Sequence, residues 1–175
     1  RWLAGIQAVE YLRAFLFGRM GWSSFGGLLL ISGAFGIFDK QVVVEAGGYA
    51  TDSVGEDMEL VIRVHRVLRD RGRSYRIGFV PEPVCWTEAP ESLRVLGRQR
   101  ERWQRGLIDT LLRHRGMMLR PRYGAVGMLA MPAFFLFEML AALRIHPFQY
   151  AIVGAALCLF YLGLLSLSEF IPFGL

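Results

Sequence analysis

Residues 93–112 read LRVLGRQRERWQRGLIDTLL, and the fold class follows from what this stretch is and what flanks it. Pro90 and Glu91 open a helix ahead of it, and the spacing of Leu93, Leu96, Leu107, Ile108, Leu111 and Leu112 carries the helix to Met118, with Gly106 a point for a kink. Gln99 lies three residues before Arg102 and four before Trp103, so all three share one helix face. That face offers an amide, a guanidinium fork and a flat aromatic. A fork suits a diphosphate, and an indole suits the apolar face of a sugar ring or the face of a base. A solvated basic helix with one core Trp fits the same residues. Beyond Trp103, the apolar pairs alternate with Arg105, Arg113, His114 and Arg115, the pattern of a helix lying in a membrane interface.

Downstream the chemistry changes. Residues 124–143 carry one charge, Glu138, and residues 148–167 carry none. Each run is about the length needed to cross ~30 Å of hydrocarbon. The connection at 144–147 is short enough to force an antiparallel hairpin. Nine arginines lie between Arg94 and Arg122, against one, Arg144, in the turn. The positive-inside bias puts residues 1–122 in the cytoplasm and the turn outside a cell (inner) membrane. A buried helical pair of a larger soluble protein is the competing reading. The whole chain agrees with the split: residues 1–122 hold 19 of 20 basic and 13 of 15 acidic side chains. With 54% hydrophobic residues and a mean hydropathy of +0.36, long disorder is excluded. A pI near 9.7 admits nucleic acid, anionic lipid or a phosphorylated substrate. Apart from Trp103, most aromatics sit in apolar stripes and spans rather than among the arginines, which argues against nucleic acid. Cys85 and Cys158 form no disulfide or zinc spacing, and His65, His114 and His146 are too scattered for a metal site. The chain starts at Arg1 and stops at Leu175 while still apolar, so it reads as an excerpt of a longer protein.

Upstream, Leu3, Ile6, Val9, Leu12, Phe15 and Leu16 recur at helical spacing over residues 2–20. Residues 28–38 are apolar but broken by Ser32-Gly33 and Gly36, which predicts a strand with a point of close approach. Asp39 caps a short helix through Val44, and Gly47-Gly48 ends it. A helix then opens with Glu56, Asp57 and Glu59, buries Leu60, Val64, Val67 and Leu68, and stops at Gly72. Residues 75–80 read as a strand, and residues 84–87 as another short extended piece. Three carboxylates in four residues raise one another's pKa values, while the helix N-terminus lowers them. An Asp so poised stays ionised yet accepts a proton in a closed site, as a general base must. Ordinary acids opening a helix look the same.

Taken in order, these pieces resemble the C-terminal part of a membrane-integrated family-2 glycosyltransferase, similar to cellulose, hyaluronan and poly-N-acetylglucosamine synthases. Gln99, Arg102 and Trp103 match the family's Gln-x-x-Arg-Trp signature in full, and the resemblance covers nearly the whole chain. It implies an α/β architecture: the C-terminal part of a GT-A-like domain (1–97), the Gln-x-x-Arg-Trp and interface helix (98–122), and a transmembrane hairpin (123–175). It implies inverting transfer from a nucleotide sugar, UDP-linked, to a glycan, with processive polymer synthesis favoured. Asp57 falls on the catalytic base of the family's Glu-Asp motif. Gln99 and Arg102 would hold the leaving diphosphate, Trp103 would floor the acceptor sugar, and Ser32, Gly33 and Glu56 would line the acceptor site.

The departures are specific. Ser32 stands where the cellulose synthases carry Cys, and Asp39 stands where relatives often carry a basic residue. The donor half, with its Asp-x-Asp, is expected before Arg1, so Mg²⁺ or Mn²⁺ would be held by residues outside this chain and the excerpt alone would be inactive. Single-sugar transfer to a lipid acceptor, or a non-enzymatic Arg-rich module on anionic membrane lipids, are the alternatives.

Overall fold

The computed structural model describes residues 2–31, 33, 35–82 and 88–139. Ser32, the piece at 84–87, Cys85, Cys158, His146 and the second apolar run at 148–167 lie outside the described residues. The chain divides into two compact units, 1–135 and 136–175.

The first unit is built around the helix Glu56–Asp70. It starts with acids where the helix dipole favours them, and Gly72, at φ +64°, takes the chain out of it. The sequence gives this helix one buried side, but the structure buries more of it. Leu60, Val64 and Leu68 pack with Ala46, Phe38, Val42, Val43, Tyr75 and Ile77. Met58, Val61, Ile62 and His65 are buried as well. The helix is thus buried around much of its first three turns, while Arg66, Arg69 and Asp70 stay exposed. His65 explains how it tolerates a polar group there: Nε2 donates to the Leu28 carbonyl at 2.9 Å, which leaves Nδ1 to accept the Tyr75 hydroxyl at 2.6 Å.

That satisfied network has a measurable consequence. Burial lowers the His65 pKa to about 4 from 6.5. The unfolded chain therefore binds the extra proton first, and the stability His65 secures is complete above pH 6.5 and lost as pH falls toward 4. The loss amounts to about 3 kcal/mol. Urea midpoints measured across that window should fall in the wild type and fall much less in His65→Gln.

Asp39 caps the helix Lys40–Glu45 as the spacing predicts, accepting from the backbone N–H groups of Gln41 (2.8 Å) and Val42 (3.1 Å). Glu45 at its far end pairs with Arg71 and Arg73, tying it to the turn after the core helix.

The predicted strands at 28–38 and 75–80 are a correction: the described residues contain no strand. The side-chain alternation at 75–80 is present, with Tyr75, Ile77 and Phe79 half-buried and Arg76, Gly78 and Val80 exposed. A strand, however, exists only as part of a ladder, and no neighbouring described segment supplies one. The first helix also differs. It runs over residues 2–24 as Trp2–Tyr11, a π-helical stretch Leu12–Phe17, and Gly18–Ser24. Its buried residues are Gln7 and Arg19, while Ile6, Val9 and Leu12 of the apolar stripe are exposed. Gln7 is held by a bond to the Pro90 carbonyl at 2.8 Å.

Leu93–Arg113 is one helix, capped by Ser92 and unbroken at Gly106. It begins later and ends earlier than the sequence spacing suggests, followed by 3-10 turns at Arg115–Met117 and Pro121–Tyr123. Leu111 is 1% exposed, so part of the stripe that reads as membrane-facing packs inward instead. The start of the first apolar run is helical, and Val126, Ala130 and Met131 are fully buried, against exposed Met128 and Leu129. No helix among the described residues is long and apolar enough to cross a membrane.

Candidate functional site

The first turn of the core helix meets the middle of helix Leu93–Arg113 backbone to backbone. A Cβ built on Gly106 would lie 2.8 Å from the Gly55 Cα, and one built on Gly55 would lie 2.9 Å from the Gly106 Cα. Only a Gly–Gly pair permits this approach. Polar bonds lock the crossing. Ser53 donates to Asp109 at 3.0 Å and accepts from the Gly55 N–H at 3.3 Å. Arg113 reaches both Asp109 and Asp52 at 2.9 Å. Asp57 therefore opens its helix two residues after the crossing point, and Trp103 precedes it by three.

Asp57 is half-buried, and its Oδ1 accepts the Met58 N–H at 2.7 Å. Burial raises its pKa, reinforced by the Glu56 carboxylate, while backbone bonds and the Arg19 guanidinium pull the other way. Gly33 lies directly against it: a Cβ there would sit 3.0 Å from Asp57 Oδ2. The close approach expected of the small-residue segment is thus an approach to this carboxylate. Glu56 is exposed beside it.

Glu59, the third acid of the cluster, has a different task. It is buried and accepts two bonds from Arg63 (3.2 and 2.7 Å) and one from His114 Nε2 at 3.1 Å. Arg63 also donates to the carbonyls of Ala46 and Gly48. This ion pair joins three segments, and three acids in four residues divide into one structural and two facing the site.

Trp103 is 37% exposed, with the Arg100 guanidinium 4.7 Å above its ring. Arg100 itself pairs with Glu10 at 2.6 Å. Phe15 packs beside Trp103 at 6.1 Å between ring centroids, and Arg19 stacks on Phe15 at 4.3 Å. The link from the indole to Asp57 therefore runs through Phe15 and Arg19. Arg19 is the residue that sequence spacing missed. Its guanidinium is buried, and among the described residues its Nε has no partner and its one hydrogen bond, to the Ile31 carbonyl, is long at 3.5 Å. Burial lowers its pKa, opposed by Asp57. A buried cation so poorly bonded stands out only after folding.

Gln99 and Arg102 are not drawn onto Asp57 by any hydrogen bond or ion pair among the described residues. Gln99 borders a hollow of 340 Å³ with Pro90, Val95, Glu88 and Glu91, and its buried Oε1 lacks a partner. Arg102 is exposed and unpaired among the described residues. The described residues include no group of three His, Cys, Asp or Glu side chains placed to hold a metal ion.

The core helix that opens on Glu56 and Asp57 is thus crossed at a Gly–Gly contact by the helix that carries Gln99, Arg102 and Trp103. The chain belongs to the family described as glycosyltransferase like family 2, whose profile matches residues 3–106. That family's catalytic domain implies a GT-A-like fold. Among individual proteins, the chain is similar to the poly-beta-1,6-N-acetyl-D-glucosamine synthase of Staphylococcus aureus (strain COL). The two are 35% identical over 111 residues, which is 63% of this chain and 26% of that protein. The synthase of the same name from Staphylococcus epidermidis is 32% identical over the same shares. The chain thus spans about a quarter of the length of these curated relatives. Residues 117–175 match a second family, described as inner membrane protein CreD. No solved structure matches the chain.

Proposed function

We propose that the protein containing this chain is an inverting glycosyltransferase that lengthens a polysaccharide from a UDP-linked sugar, in the manner of the poly-N-acetylglucosamine synthases it is similar to. The observation that carries the reading is the Gly55–Gly106 crossing, which brings the Asp57 turn beside the Trp103 helix. Asp57 takes the proton from the acceptor hydroxyl as its oxygen attacks the anomeric carbon. The bond from that carbon to the diphosphate breaks, and the configuration inverts. A carboxylate whose ionised form is made less comfortable by burial is a stronger base for that step. Arg19 balances its charge from the buried side, and Glu56 lies at the solvent edge. Trp103 supports the acceptor ring on its exposed face, Gly33 closes directly on the Asp57 carboxylate where a side chain would collide, and Ser32 is assigned to the acceptor as its neighbour in sequence.

The exposed Arg102 fork and the N–H donors of the Gln99 amide, not its buried Oε1, receive the departing diphosphate. Mg²⁺ or Mn²⁺, where the enzyme uses it, is held by residues outside this chain. In the same reading, residues 1–97 complete the catalytic domain, 98–122 seat it at a cell membrane from the cytoplasmic side, and 123–175 form the membrane hairpin. The similarity of 117–175 to an inner membrane family supports that placement.

Trp103→Ala separates sugar chemistry from packing. In membranes carrying the full-length enzyme and radiolabelled UDP-N-acetylglucosamine, polymer formation should drop about fivefold or more while hydrolysis of the donor persists. A base or sugar face lost from an aromatic platform is worth ~1 kcal/mol or more. Equal loss of both activities would assign Trp103 to packing, and absence of donor turnover in the wild type would end the enzymatic reading.

A further inference from the structure

A second concave site lies on the same unit but away from Asp57. It is a hollow of 230 Å³ whose lining includes Arg66 of the core helix, Arg113 and His114 at the end of the Trp103 helix, Arg115, Arg120 and Tyr123. Four guanidinium groups around one small hollow repel one another, and the neighbouring acids answer only part of that charge. Arg113 is paired with Asp52 and Asp109, and Arg66 reaches Asp70 only at 3.9 Å. The guanidinium groups of Arg115 and Arg120 have no ion-pair or hydrogen-bond partner among the described residues. His114 is 5% exposed, and its Nδ1 is buried without a partner, since Nε2 is spent on Glu59.

The turn that shapes the hollow is held firmly. Leu119 sits at φ +58°, a conformation costing roughly 1–2 kcal/mol for a residue with a side chain. Its N–H bonds the Gly127 carbonyl at 2.9 Å. Gly127 packs so closely that a Cβ there would lie 2.6 Å from the Met117 carbonyl oxygen. Tyr123 donates to Asp70 at 3.1 Å, and Arg122 bonds the same residue. A strained turn clamped at both ends keeps the arginines gathered where charge alone would spread them.

We propose that this hollow binds a phosphate group. Forked guanidinium donors match phosphate oxygens, and two of the four arginines are free to supply them. The volume is below the ~300 Å³ at which sites for whole small molecules begin, so it suits one phosphate rather than a complete nucleotide. The phosphate has two possible carriers: an anionic lipid headgroup, favoured by the apolar run that begins at residue 124, or a free phosphate in solution. The site is independent of the sugar-transfer reading and stands or falls separately.

The test uses the full-length protein in a neutral detergent, titrated in one arm with inorganic phosphate and in the other with phosphatidylglycerol added to the micelles. Thermal midpoint and ³¹P linewidth are both read. Saturable stabilisation and line broadening by inorganic phosphate support the site with a soluble ligand. The same response to phosphatidylglycerol alone supports a lipid headgroup. In either case Arg115→Ala/Arg120→Ala should weaken apparent affinity roughly tenfold or more, and Arg94→Ala/Arg98→Ala, which removes equal charge from elsewhere, should not. No response in either arm overturns the proposal, as does an equal response in the Arg115/Arg120 variant. Should that variant fold poorly, Arg115→Lys/Arg120→Lys keeps the charge and removes the forks, and an unchanged affinity there rejects forked recognition.

Discussion

Asp57→Asn in the full-length enzyme should lower the turnover number by about 10²–10⁴, the usual share of a general base, while leaving donor binding intact. The amide keeps the size of the carboxyl group and can still accept the Met58 N–H, so the helix start is preserved. It cannot take a proton from an acceptor hydroxyl. The same substitution should make the protein more stable, and this pairing is what makes the test sharp. Burial raises the Asp57 pKa in the folded state. Between its unfolded and folded pKa values the native state holds the extra proton, so this group's contribution declines as pH rises through that window. At neutral pH the ionised side chain is a net burden, which Asn removes. Turnover and thermal midpoint should therefore move in opposite directions. A variant that loses activity and stability together would make Asp57 a structural acid, and one with wild-type turnover would remove it from the reaction.

How much of this was written in the sequence depends on whether the signal was local. Helix starts were legible because capping is a short-range event. Asp39 announces the Lys40–Glu45 helix, and the acids at 56–59 announce the core helix, each within a single turn. The small residue at 33 was legible as a close approach, though not its target, because the partner, Asp57, is 24 positions away. Arg19 was invisible for a related reason. On a stripe-bearing amphipathic helix an Arg is expected to be solvated, and only the folded arrangement buries it under Phe15. The strands expected at 28–38 and 75–80 do not appear among the described residues, because alternation reports which side chains face inward, whereas a strand also needs a hydrogen-bonded neighbour. Glu59 shows the opposite error. Counted with Glu56 and Asp57 it looked like part of a reactive cluster. Its partners, Arg63 four residues on and His114 fifty-five residues on, make it a buried tie instead.

The second large effect concerns the crossing itself. Gly106→Ala should destabilise the protein by about 1–3 kcal/mol, the range for overpacking a close contact. It should also lower turnover about a hundredfold, since a misplacement near 1 Å suffices for that. The reason is that the new methyl group meets backbone, not a side chain that can swing aside: Gly55 Cα at 2.8 Å and Gly55 N at 2.9 Å. The helices must separate, and the separation moves the Asp57 turn away from the Trp103 face. Gly97 supplies the control, because it lies in the same helix with nothing within 4 Å of a built Cβ. Gly97→Ala should stabilise the protein by up to ~1 kcal/mol through helix propensity alone and leave turnover unchanged. Chemical denaturation and initial rates on the two variants decide the matter. If Gly106→Ala proves as harmless as Gly97→Ala, the two helices do not meet at their backbones, and the physical argument that joins the carboxylate to the indole loses its support.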